Sequence, residues 1–319
     1  MHSHHSHSGS YISHGSDDLD SVVKRAHELG FKTFCLTEHA PRLDDIYLYP
    51  EEIEKDYNVK NLFSNFENYL VHAQKVQEEY RNSNMKILVG VEIEGIDEKH
   101  IAYTREEILK NPVINMSVGS VHFVNHIPID FDAEQWLQAR DSISEKTTRA
   151  LYKAYFLLQN QVIAGVKPLV IGHFDLIRLF QPEDEIDPTT GKSLREVNLE
   201  RDWPEVWEII IKNIKLVQSY GGLFELNSSA IRKGWSTPYP RRDICDAIIK
   251  FGDARFCLSD DSHSIKQVGL NYGKMWDYVI HSLRLDYVYS LDIDEQNKTI
   301  IRKDPVDTLT QDRFWCQYK

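Results

Sequence analysis

Apolar residues recur at every third or fourth position over several long stretches of the chain, and short apolar runs stand between those stretches. Leu19, Val22, Val23, Ala26 and Leu29 share one face of a helix read over residues 16–30, with Ser16 or Asp17 to cap it and Gly30 to close it. The series from Val59 through Phe66, Tyr69, Leu70, Ala73 and Val76 to Tyr80 predicts a long amphipathic helix. Further helices are expected near residues 144–161, over 203–220, and from Pro240, a residue suited to a first helical position, to Phe251. Between them, residues 31–36, 86–91, 113–121, 169–172, 223–226 and 256–258 read as strands, and the later run 287–291 as a candidate closing strand. Strands that alternate with helices pair in parallel, because a parallel crossover needs a dozen or more residues. Roughly seven such units predict a closed α/β barrel, in which chemistry sits at the C-terminal ends of the strands.

Composition narrows the class. The 319 residues are 41% hydrophobic and 27% charged, ordinary for a globular protein, and no apolar run approaches the roughly 20 residues needed to cross a bilayer. No charged segment followed by an apolar one opens the chain, so a cytoplasmic location is expected. Cys35, Cys245, Cys257 and Cys316 form no CxxC pair and read as reduced thiols. A net charge of −12 excludes a nucleic-acid clamp, which needs clustered cations. Pro182, Pro188 and Gly191 mark residues 181–202 as a polar insertion, and the tail from 292 to 319 is mixed and polar; with no repeat and no linker, residues 1–319 read as a single domain.

The candidate chemistry opens at the N-terminus, where His2, His4, His5, His7 and His14 crowd into fourteen residues. Residues two apart on an extended chain face the same way, so His5 and His7 can reach one ion, with His14 a loop away. Alone, such a stretch could be a polar leader. It is not alone: His39, Glu92, His122, His173 and the pair Asp261 and His263 each follow a strand-like run. Any one of them taken singly would more often be a hydrogen-bonded histidine or a solvated carboxylate; their shared placement is what points to a metal centre. His27, His72, His100 and His281 lie in or beside helical patterns and carry no assigned role, while Glu38, Glu94, Asp175 and Asp260 stand close enough to support the ligands from behind.

Read together, His5-Ser6-His7, Thr37-Glu38-His39-Ala40-Pro41, Gly90-Val91-Glu92, Gly119-Ser120-Val121-His122, Gly172-His173 and Asp261-Ser262-His263 resemble the four-motif signature of the polymerase and histidinol phosphatase (PHP) superfamily. The run 226–233 and Pro238-Tyr239-Pro240 bring the likeness nearest to its histidinol-phosphatases of the fungal and Bacillus type. The resemblance implies a distorted (β/α)7 barrel and hydrolysis of L-histidinol phosphate in histidine biosynthesis. It also implies a trinuclear site held by His5, His7, His14, His39, Glu92, His122, His173, Asp261 and His263. His2 and His4 offer the same spacing as His5 and His7, so the opening motif has two registers; the second leaves residues upstream for a first strand. Imidazole and carboxylate ligands without thiolate fit zinc, iron or manganese equally, and three such divalent ions would leave the pocket positive enough to attract a phosphate dianion. A metal-bound hydroxide would attack phosphorus, with Arg232 as the phosphate clamp, Arg178, Arg241 and Asn227 as further substrate contacts, and Asp261, His263 or a water as proton donor. A nucleotide phosphoesterase and a non-catalytic metal-binding protein are the rival readings; the acidic balance opposes the first where nucleic acid is concerned, and the spread of ligands along the chain opposes the second.

Overall fold

The computed structural model describes residues 1–294, 296 and 298–318. Seven strands, β1 (His2–Ser3), β2 (Thr33–Leu36), β3 (Lys86–Glu94), β4 (Met116–Ser120), β5 (Val170–Ile171), β6 (Leu223–Asn227) and β7 (Phe256–Ser259), pair in parallel in that spatial order. The ring closes on itself. The His4 amide donates to the Leu258 carbonyl at 3.2 Å, the Asp261 amide to His5 at 3.0 Å and the His7 amide to Ser262 at 2.7 Å. Helices α1 (Leu19–Leu29), α2 (Val59–Glu79), α3 (Thr148–Val166), α4 (Pro204–Tyr220) and α5 (Arg242–Phe251) make crossovers.

Strand alternation sorts the core. In β3, Ile87, Val89, Val91 and Ile93 pack in the cluster that includes the helices, whereas Leu88 joins Cys35, Met116, Val118, Val170, Leu223 and Cys257 in a separate apolar cluster. Glu92 and Glu94 share the Leu88 face of β3, toward its C-terminal end. The barrel interior is therefore apolar below and polar above, and the polar layer lies where the strands deliver their last residues.

Several expectations need correcting. Residues 287–291 do not close the barrel: β8 (Tyr287–Ile293) pairs antiparallel with β9 (Thr299–Pro305), and its Tyr289 and Leu291 pack against the inner apolar cluster. The place of the closing strand is already taken by β1. Helix α1 is capped by Asp18, which accepts from the Ser21 amide at 2.8 Å, while Asp17 accepts from Ile265 and ties the helix start to the loop after β7. Helix α5 begins at Arg242, and Pro240 stands before it in a cis bond with Tyr239. Near the end of the polar tail, Trp315 stacks on Trp276 at 4.7 Å and Tyr318 donates to the Gly269 carbonyl. Cys35, Cys245 and Cys257 are buried free thiols and Cys316 is an exposed one.

Candidate metal centre

At the C-terminal mouth of the barrel, five imidazoles converge on the Glu92 carboxylate. His5 Nε2 lies 3.2 Å from it, His7 Nε2 3.3 Å, His39 Nδ1 3.1 Å, His122 Nε2 3.3 Å and His173 Nε2 3.1 Å. Asp261 Oδ1 stands 3.6 Å from His7 Nε2, and His263 and His14 extend the group outward, His14 Nε2 being 3.3 Å from His39 Nε2. Sequence separation is bridged by topology: β3 supplies Glu92, and the segments just after β1, β2, β4, β5 and β7 supply the other groups of one pocket. Asp261 adopts φ 49°, a left-handed conformation that turns the chain just past β7.

The two registers of the opening motif separate cleanly. His4 donates from Nδ1 to the Leu258 carbonyl and accepts the Leu291 amide at Nε2, and His2 accepts the Leu258 amide. Burial pushes the His4 imidazole down to about 4, so it stays neutral as the accepting nitrogen requires. These two histidines stitch strands together, and His5 and His7 line the site.

Behind the imidazoles stand carboxylates. His5 Nδ1 faces Glu225 at 3.2 Å, His122 Nδ1 faces Glu94 at 2.9 Å and His7 Nδ1 lies 3.6 Å from Glu38. In each ring the other nitrogen points at Glu92, the arrangement by which a carboxylate fixes the tautomer of a metal-binding histidine. Glu38 and Glu94 were expected in this role; Glu225 was not, although it shares the inward face of β6 with Asn227 and also accepts the His173 amide at 2.6 Å. Asp175 and Asp260 support loops instead. Asp260 accepts from Ser3 and from the Gly269 amide, and Asp175 pairs with Arg178 and accepts the Arg241 amide. Arg42, also unforeseen, anchors Glu94 at 3.3 Å and pairs with Glu52.

The donor set fits cations. Nε2 of His5, Nε2 of His7 and Nδ1 of His39 are buried without a hydrogen bond, which is costly unless something else uses the lone pairs. His122 Nε2 and His173 Nε2 approach to 3.3 Å. Zinc–nitrogen bonds of about 2.0–2.1 Å place neighbouring ligands of a tetrahedron about 3.3–3.4 Å apart, so these spacings suit ligands of a shared ion. Ligand atoms also gather within 4.8 Å in His5/His7/Asp261, in His5/Glu92/His173, in His39/Glu94/His122 and in His7/His39/His263.

Charge balance gives a pH dependence. Burial alone would lower His7, but Glu38 and Glu92 outweigh it and raise the imidazole to about 9; His5 and His122 are raised well above the ordinary value by Glu92 with Glu225 and Glu94 respectively, again against burial. In metal-free protein, the stability these protons contribute is fully present below the unfolded histidine value of about 6.5 and is lost as pH rises through the folded one. Cations must displace the same protons. Zinc affinity of chelator-treated protein is therefore expected to rise between about pH 6 and 8, by roughly tenfold per pH unit for each proton displaced. Calorimetry in two buffers of different ionisation enthalpy checks this; titrations showing no proton release would contradict it.

The pocket over this centre measures about 280 Å³. Arg232 lines it and donates to the Asp261 carbonyl at 3.2 Å, and Lys233 beside it is a second cation, not among the residues singled out from sequence. Arg178 and Arg241 are absent from the lining: Arg178 is held by Asp243 at 2.7 Å and by Asp175, and Arg241 by Glu183 with its guanidinium over Trp235. Asn227 is buried, stands outside the lining and donates to Glu225 at 2.7 Å. Tyr49, Glu51, Asp130, Phe131 and Gln267 complete the wall. Among the described residues, no helix is long and apolar enough to cross a membrane.

Comparison with known proteins agrees with this geometry. The PHP domain model matches residues 3–229. A histidinol-phosphatase of Saccharomyces cerevisiae is 38% identical over 334 aligned residues, covering 99% of both chains. Among solved structures, a Listeria monocytogenes protein provisionally named a histidinol phosphatase superposes with a TM-score of 0.67 at 21% identity, over 86% of this chain and 99% of its own. The histidinol phosphate phosphatase of Lactococcus lactis, solved with zinc, L-histidinol and phosphate, gives 0.57 at 18% identity, over 89% and 92%.

Proposed function

The chain belongs to the PHP domain family, and from that membership and the polarity of its pocket we infer that it hydrolyses L-histidinol phosphate to L-histidinol and inorganic phosphate, as a metal-dependent phosphatase of histidine biosynthesis. The observation that carries the reading is the convergence of five imidazoles on Glu92 beneath a pocket edged by Arg232 and Lys233. The 38% identity to the yeast enzyme over nearly the full length and the ligands of the Lactococcus structure support the same substrate.

Three divalent ions are proposed, held by His5, His7, His14, His39, Glu92, His122, His173, Asp261 and His263, because the groups of close donor atoms overlap at His5, His7 and His39 and exceed what one ion can take. When bound, such ions supply a water ionised near neutral pH and positive charge opposite the phosphoryl oxygens. The chain supplies the rest. Glu225, Glu94 and Glu38 keep Nε2 of His5, His122 and His7 turned to the centre. Arg232 and Lys233 stand ready for phosphoryl oxygens. Asp261 remains ionised: burial alone would push it up, but His5, His263, Lys233 and His7 hold it well below the usual range, so it suits a ligand better than a proton donor. A cytoplasmic site of action is proposed with the pathway.

Phosphate release from L-histidinol phosphate, measured against nucleotides and sugar phosphates, tests the reading. Histidinol phosphate should be the preferred substrate, exhaustive chelation should abolish turnover, and a divalent ion should restore it. Preference for another phosphate ester would replace the substrate, and undiminished turnover in metal-free protein would overturn the chemistry.

A further inference from the structure

Two arcs of the rim carry opposite character. Arg232 and Lys233 follow β6, and Gln267 follows β7. Tyr49 and Glu51 follow β2, while Asp130 and Phe131 follow β4, across the ring from β6 and β7 in the strand order. The second arc is acidic and aromatic. After β4 a small hairpin, Phe123–Val124 with Ile127–Pro128, folds back so that the Ile129 amide donates to the His122 carbonyl at 2.9 Å, which sets Asp130 beside the metal centre. Oδ1 of Asp130 is buried and accepts no hydrogen bond. Oε2 of Glu51 is likewise buried without a hydrogen bond, but its Oε1 already faces His14 at 3.4 Å. Next to Asp130, Phe131 is 39% exposed, and its ring lies 6.4 Å from that of Tyr49 with the planes only 17° apart.

A buried carboxylate oxygen without a donor is an expensive feature to keep, and a phenylalanine 39% exposed at the lip of a polar cleft leaves apolar surface uncovered despite its contact with Tyr49. Both make sense if a ligand supplies the missing partners. We propose that Asp130 receives the ammonium group of the substrate and that Phe131 with Tyr49 receives its imidazole ring, an assignment that rests on the proposed function. The order along the molecule fits. In L-histidinol phosphate the amine sits close to the phosphorylated carbon and the ring lies farther out, as Asp130 sits by His122 and Phe131 at the exposed lip. The phosphate then falls toward Arg232 and Lys233. A zwitterion-like substrate is thus matched end to end by the polarity of the rim, which a simple phosphate ester would not exploit.

The test is a ratio of kcat/KM values, for L-histidinol phosphate against imidazolylpropyl phosphate, the same molecule without its amine. The parent protein should prefer the first, and Asp130→Asn should shrink that preference by roughly 10- to 100-fold, the value of a hydrogen bond to a charged group. If the parent shows the preference and Asp130→Asn keeps it within about threefold, the amine site is wrong while the proposed function stands. If the parent does not hydrolyse histidinol phosphate, or does not favour it over the amine-free ester, the proposed function and this inference fall, or the inference alone. Phe131→Ala, at a position 39% exposed, is a second variant whose outcome is independent of the first. Its preference for histidinol phosphate over ethanolamine phosphate should drop by about 2- to 10-fold, the worth of an aromatic contact, and an unchanged preference would remove Phe131 from the site.

Discussion

Glu92→Gln should lower kcat by on the order of 1000-fold or more, the equivalent of about 4 kcal/mol of transition-state stabilisation, and should reduce the metal content of the purified protein. The substitution preserves volume and the possibility of the hydrogen bond from Ser120 Oγ, now at 2.6 Å, so the barrel should fold. What changes is charge and donor character at the point where five imidazoles meet. Burial alone would push the Glu92 carboxyl up, yet His5, His122 and His39 hold it well below its usual range, so the native group is an anion in a ring of nitrogens. A glutamine there brings an N–H₂ group among lone pairs that need a cation, and leaves any bound ions less charge to offset them. Elemental analysis and turnover should fall together. A variant that kept both its metal and most of its kcat would show that Glu92 lies at the centre of the site without being a ligand.

The order of strands and helices was readable because buried parallel strands and amphipathic helices carry different periods, and because each candidate ligand closed a strand-like run. His39, Glu92, His122, His173, Asp261 and His263 could be picked out by that placement alone. The opening motif could not: His2-x-His4 and His5-x-His7 obey the same spacing, and only the pairing of β1 with both β2 and β7 decides which pair faces inward. Long-range partners were equally hidden. Glu225 looks like any acidic residue in a short strand, and its value depends on His5 being 220 residues away in sequence and 3.2 Å away in space. Arginines are alike in sequence for a related reason: Arg178 and Arg232 have the same chemistry on paper, and only the fold pairs the first with Asp175 and Asp243. The run 287–291 has the composition of a barrel strand, and nothing local reveals that the ring is already complete. Asp130 and Phe131 gave no signal, since a loop residue that waits for a ligand has no periodic pattern to betray it.

Arg232→Ala should leave metal content unchanged and lower kcat/KM by roughly 30- to 1000-fold, since a bidentate charged contact to phosphate is worth on the order of 2–4 kcal/mol. Among the described residues its guanidinium makes one hydrogen bond, from Nη2 to the Asp261 carbonyl, which leaves other donors of the planar fork for phosphoryl oxygens. Lys233 next to it offers a point charge without that fork, so it can attract the phosphate but cannot hold two oxygens in a fixed plane. How the loss divides between kcat and KM reports when the contact forms. If Arg232 grips ground state and transition state alike, KM rises and kcat stays near the parental value; if the contact tightens as charge shifts onto the leaving oxygen, kcat falls as well. Inhibition by inorganic phosphate should weaken in parallel, because free phosphate presents the same oxygens. Arg178→Ala provides the contrast: with its guanidinium committed to Asp175 and Asp243, it should cost stability before it costs phosphate affinity. An Arg232→Ala protein with parental kcat/KM and parental phosphate inhibition would move the clamp to Lys233.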